Sequence, residues 1–63
     1  MIELLIKEIR IEKKMTQEEL SQKSGISESY ISELENNLKI PTILVLCQLA
    51  EALDVEISKL YKY

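Results

Sequence analysis

Residues 24–37 read SGISESYISELENN, and their polar side chains recur at helical spacing. At about 100° per residue, Ser29, Ser32 and Asn36 share one face, Glu28 and Glu33 lie at its two margins, and Ile31 and Leu34 point the other way. Hydroxyls and a carboxamide both donate and accept hydrogen bonds, whereas a carboxylate only accepts. That chemistry suits recognition of a polar partner surface. It does not suit bond-breaking. The chain has no histidine and one cysteine, Cys47, so it offers no nucleophile beside a base, no internal disulfide and no zinc ligand set. Glu18 and Glu19, like the other paired carboxylates, belong to solvated helix faces. A chain of 63 residues buries only about 60% of its unfolded surface and leaves no room for a deep cleft. An enzyme, a metal, a cofactor and a small-molecule ligand are all unexpected.

The elements that must carry this face are legible from periodicity and caps. Ile2, Leu5, Ile6 and Ile9 follow the i, i+3, i+4, i+7 pattern, predicting a first helix to about residue 13. Thr16 and Glu19 form a capping box that starts a second helix over residues 17–24. Gly25 stops it, being the residue with no steric penalty in a left-handed turn. Ser27 caps the third helix, and Asn36 and Asn37 end it, Asn tolerating the left-handed region. After LKIP, Thr42 caps a fourth helix with Ile43, Leu46, Leu49, Ala50 and Leu53 as its core face. Cys47 at the edge of that face reads as a small core residue. Val55, Ile57 and Leu60 fit a brief fifth helix. The expectation is one all-α domain over residues 1–63, a compact five-helix bundle without repeats or linkers.

Apolar residues make up 46% of the chain and charged ones 30%, the balance of a globular domain. The longest apolar run, residues 43–47, is far too short to cross a membrane. The opening MIELLIKEIR lacks a basic leader and is interrupted by Glu3 and Lys7, so it is not a signal peptide. A cytoplasmic location is expected, with no membrane partner. The initial Met1 and the closed bundle suggest a complete small protein. The net charge of −3 argues mildly against indiscriminate nucleic-acid affinity.

Leu20, the forced turn at Gly25, Ile26 beyond it, and then Ile31 and Leu34 fix two short helices as a crossed pair. That is the helix-turn-helix arrangement, whose second helix enters the DNA major groove. The run TQEELSQKSGISESYISELENN, followed by PT, LCQLAEALDV and a final Leu60, resembles the phage-repressor and Cro-like helix-turn-helix family, also called XRE. The likeness extends from Ile6 to Leu60 and is densest at Thr16, Gln17, Glu19, Leu20, Gly25, Ile31, Ser32 and Glu35. It implies a lambda-repressor-like DNA-binding domain. It also implies roles: Gln17 meets a phosphate and sometimes a base, and Ser27, Glu28, Ser29 and Ser32 touch bases or the flanking backbone. Arg10 and Glu35 match a partly buried salt bridge between the first and third helices. One departure matters. Where the family carries Gly and several basic residues after the third helix, NNLKIPT supplies only Lys39. Positive charge is left to Lys13, Lys14, Lys23 and Lys39, aided by helix N-termini that hold phosphates. Either Glu28 or Glu33 is placed to accept from a cytosine amino group.

Several apolar residues lie on the wrong side of their predicted helices. Leu4 and Ile11 oppose the core stripe of the first, and Leu44 that of the fourth, with Ile40 just before it. Together Ile40 and Leu44 suggest a contact surface, with Tyr61 and Tyr63 as contributors to a two-fold homodimer. Tyr30 is open between a phosphate contact and packing with a hydrogen-bonded tip. The reading is a sequence-specific binder of double-stranded DNA acting as a transcriptional repressor. The alternative is a protein-interaction module that keeps the fold without DNA binding.

Overall fold

The computed structural model describes residues 2–63; Met1, on which the expectation of a complete protein partly leans, lies outside the described residues. Four α-helices carry the fold: α1 (Ile6–Glu12), α2 (Gln17–Ser24), α3 (Glu28–Glu35) and α4 (Ile43–Leu53). A 3-10 turn over Ile57–Leu60 and two short strands, β1 (Glu3–Leu4) and β2 (Tyr61–Lys62), complete it. The helix-turn-helix class is as expected, but the helices number four and not five. The expected fifth is the 3-10 turn. Asp54 turns left-handed at φ 57° to close α4, and the four residues of the turn end where the chain runs extended into β2. That is the length at which 3-10 geometry usually appears.

The other correction concerns the N-terminus. The predicted first helix from residue 2 begins only at Ile6, because β1 pairs antiparallel with β2, Glu3 opposite Lys62 and Leu4 opposite Tyr61. The Leu5 N–H donates to the Leu60 carbonyl at 2.8 Å and extends this ladder. Ile2 and Leu4 are two apart, and so are Tyr61 and Tyr63, a spacing that places each pair on one side of a strand. Leu4 therefore packs against the core instead of facing solvent as a helix would force it to, while Ile2 is exposed.

The helices close around one core. Leu20 of α2, Ile31 and Leu34 of α3, Leu49 of α4 and Leu60 of the 3-10 turn are fully buried, and Ile6 and Leu53 almost so. Two expectations for α4 fail. Ile43, in the first turn, is exposed where it borders an open groove, and Cys47 is exposed too. One residue past Leu46 is a rotation of about 100°, which carries the Cys47 thiol off the buried stripe. Tyr30 is half-buried and packed against the core. Left-handed Lys14, Asn37 and Asp54 end α1, α3 and α4. In each case the next N–H reaches back to a carbonyl in the last turn, as Leu38 does to Glu33 at 2.8 Å, which satisfies helix-end acceptors.

Candidate nucleic-acid interface

Local chemistry fixes the relation between α2 and α3. At the start of α2 the Glu19 N–H donates to Thr16 Oγ1 at 3.0 Å, and the Thr16 N–H donates to Glu19 Oε1 at 2.8 Å. The Thr16 N–H, with its hydroxyl beside it, holds the Glu19 carboxyl below the usual carboxylate range. Gly25 ends α2 in the left-handed region at φ 76°, and a Cβ there would meet nothing within 4 Å. Backbone conformation, not space, calls for glycine at this point. Buried Ser24 accepts from the Ile26 N–H at 3.1 Å, and Ile26 packs onto the core. Ser27 then caps α3 by accepting from the Tyr30 N–H at 3.1 Å.

Behind these helices lies a polar brace. Arg10 Nε donates to Glu35 Oε2 at 2.7 Å, its Nη2 to Glu35 Oε1 at 3.1 Å, and its Nη1 to the Met15 carbonyl at 2.8 Å. The two side chains are only 12% and 3% exposed, so this pair ties α1 to α3 away from bulk water. Gln17 joins it, Nε2 donating to Glu35 Oε1 at 2.9 Å. Burial pushes the Glu35 carboxyl up, but the hydrogen bonds from Arg10 and Gln17 and the nearby positive charges outweigh it and leave the group below its ordinary range. An ionised carboxylate cannot donate, so the Gln17 atom facing it must be the amide nitrogen. The sequence shows the ion pair's members by resemblance, but it carries no signal that Gln17 is tethered to them.

The outward side is open. Gln17, Glu28, Ser29 and Ser32 line one shallow depression at the start of α2 and along α3, so four of the residues singled out from the sequence share a surface. Ser27 sits next to them as the α3 cap. Glu33 is half-buried outside that depression, and Asn36 turns back on its own helix, Nδ2 donating to the Ser32 carbonyl at 2.9 Å. Lys39 is exposed in the connection to α4. Among the described residues no group of acidic, histidine or cysteine side chains could hold a metal ion.

The helix-turn-helix family pattern matches residues 6–60 of this chain. The chain belongs to the phage-repressor and Cro-like helix-turn-helix family. Within it, the chain is 47% identical over 47 residues to an uncharacterized HTH-type transcriptional regulator, y4dJ, of Sinorhizobium fredii, covering 75% of this chain and 61% of that one. It is 38% identical over 53 residues to the immunity repressor protein of Bacillus phage phi105, covering 84% and 37%. To the HTH-type transcriptional regulator SinR of Bacillus subtilis it is 39% identical over 61 residues, covering 95% and 55%. The matched chain thus spans less than two thirds of each of these relatives. The crystal structure of the restriction-modification controller protein C.AhdI from Aeromonas hydrophila superposes with a TM-score of 0.83 at 31% identity, over 86% of this chain and 82% of that one. The helix-turn-helix is therefore a shared framework.

Proposed function

We propose that this protein is a sequence-specific binder of double-stranded DNA and a transcriptional repressor, with residues 1–63 acting as a single helix-turn-helix domain. The observation that carries the reading is the depression shared by Gln17, Glu28, Ser29 and Ser32 on the outward side of a crossed helix pair. The α3 helix enters the major groove, Ser29 and Ser32 meet base edges, and Ser27, Asn36 and Lys39 meet the flanking backbone. Glu33, outside the depression, limits which sequences the margin of α3 tolerates. Lys13, Lys14 and Lys23 add charge at the phosphates. The relatives are named as regulators and a repressor, and the reading assigns no reaction and no cofactor. It places the protein with the genome, in the cytoplasm.

A homodimer completes the reading. Ile40 is 92% exposed and Leu44 66%, and Ile40 joins Ile2, Ile43 and Tyr63 in an apolar groove that also borders Tyr61. No helix of the described residues is long and apolar enough to cross a membrane, so a protein surface is the cover proposed for these side chains. Such a dimer would bind two half-sites about 34 Å apart. The same groove also supports a second reading, a module that binds a partner protein and not DNA. Selection from a randomised duplex pool, at low and then physiological salt, separates the two. Enrichment of a two-fold sequence that survives the salt is the expected result. No enrichment at either salt, from folded protein, overturns the DNA reading.

A further inference from the structure

The hydrogen-bonding sense of the outward depression is fixed by what lies behind it. Arg10 occupies both oxygens of Glu35, and the Gln17 amide nitrogen is drawn to the same carboxylate at 2.9 Å. Gln17 therefore has its donor end engaged inward, leaving its carbonyl as the end that Glu35 does not use. Beside it, Glu28 is exposed at the first position of α3 and presents two further acceptor oxygens. Ser29 and Ser32 complete the lining with hydroxyls that work in either sense. Of the two carboxylates on α3 that the sequence left open as base contacts, only Glu28 borders this depression. No Lys or Arg lies along α3 to counter it.

We infer that Glu28 is the specificity-determining residue of this face, and that it selects cytosine by accepting a hydrogen bond from the base's N4 amino group. The inference rests on the DNA-binding reading above and names what that site reads. In the major groove guanine shows only acceptors, N7 and O6, and thymine an acceptor and a methyl group. Adenine offers its N6 amino group but sets the N7 lone pair beside it, against the carboxylate. Cytosine alone presents a donor without an adjacent acceptor of its own. The guanine paired with it takes a hydroxyl donor from Ser29 or Ser32. A carboxylate that would repel phosphates anywhere along the backbone thus becomes favourable at one base pair, which reconciles an acidic reading helix with recognition of a polyanion.

The test uses the full chain as wild type, Glu28→Gln and Glu28→Ala, each confirmed folded by circular dichroism and each put through the same randomised-duplex selection. The expected wild-type site holds one position per half-site that favours cytosine. In Glu28→Gln that position changes to adenine, because a carboxamide pairs with adenine N6 and N7 together. In Glu28→Ala it accepts all four bases, and the expected wild-type preference for cytosine, about tenfold, falls to near unity. The same enriched site in all three proteins overturns this inference and leaves the DNA reading standing. A residue-28-dependent position at which wild type prefers another base also overturns it. No enriched sequence from folded wild type overturns the DNA reading, and this inference with it.

Discussion

Behind the face formed by Gln17, Glu28, Ser29 and Ser32, each polar group is held by another. Arg10 grips Glu35 and the Met15 carbonyl, Gln17 is tied to Glu35, and Ser27 caps α3. Among the described residues no buried side-chain nitrogen or oxygen is left without a partner. The groove bordered by Ile2, Ile40, Ile43 and Tyr63 is made of apolar side chains held largely in the open. On the first surface Gln17 is already held by the brace behind it, so that side chain meets a matching partner with little reordering cost. The second gains simply by leaving water, at roughly 25 cal/mol per Å² of apolar area, and carries almost no code. On the proposed reading selection and assembly sit on different surfaces, and mutations should separate them.

The largest expected effect comes from breaking the brace. Replacing Glu35 by Ala strands the Arg10 guanidinium at a site only 12% exposed, at a cost of about 3 kcal/mol for an unpaired buried charge. Chemical denaturation should show it as a lower midpoint at unchanged slope. Acid titration sharpens the point. The Glu35 carboxyl is held below its ordinary range, so its contribution is present above the unfolded-chain value of about 4.3 and is lost as pH falls through the depressed folded value. Wild type should lose stability more steeply below about pH 4 than Glu35→Gln, which has no such proton to take up. Parallel acid curves would show that Glu35 is not the linked group.

At the groove the expected effect is on assembly and not on folding. Ile40→Glu with Ile43→Glu replaces two side chains that line the groove and are already exposed, so the melting temperature of the monomer should change little. Dimerisation measured by sedimentation should weaken by tenfold or more, as two charges are forced into an apolar contact. Binding to a two-fold site should weaken with it, while binding to a single half-site stays the same. A double variant that dimerises like wild type would remove the groove from the interface.

Much of this contrast is legible in the chain, and what is not has a physical reason. Thr16 with Glu19, Gly25, Ser27 and Thr42 announce helix boundaries because caps and left-handed turns are decided by residues within a few positions of one another. The buried stripe of Leu20, Ile31, Leu34 and Leu49 follows from period alone. The β1–β2 pairing joins residues 3 and 4 to 61 and 62, a contact that no local pattern encodes, although Leu4 on the wrong side of the predicted first helix marks the misfit. Ile43 and Cys47 illustrate another limit: helical phase says which side a residue takes, not how far neighbouring elements extend over it. Side-chain tethers such as Gln17 to Glu35 depend on the α2–α3 crossing and emerge only once the fold is built.

A smaller effect belongs to the turn between the two helices. Gly25→Ala should destabilise by about 1 kcal/mol, read as a lowered denaturation midpoint. The site has space for a methyl group, and only the positive φ of 76° opposes it. Retention of the wild-type DNA site by this variant would show that the crossing angle is set by packing of Ile26, Ile31 and Leu34 rather than by the turn alone.

The smallest effects should come from the hydroxyls at the centre of the reading face. Neither Ser29 nor Ser32 is fully buried, so Ser29→Ala and Ser32→Ala should leave stability within about 0.5 kcal/mol of wild type. Each removes one neutral hydrogen bond to DNA, and a net loss of about 1 kcal/mol per bond corresponds to roughly a fivefold weaker complex. The salt dependence should stay the same, because neither change removes a charge that displaces counterions from phosphate. That combination separates a base contact from a backbone contact: Lys39→Ala should lower the salt slope by about 0.9, whereas the serine variants lower affinity at every salt by the same factor. Serine variants that bind the selected site as wild type does would move base reading to Glu28 and Gln17, and would leave the α3 hydroxyls as a neutral lining chosen to let the helix approach the bases closely.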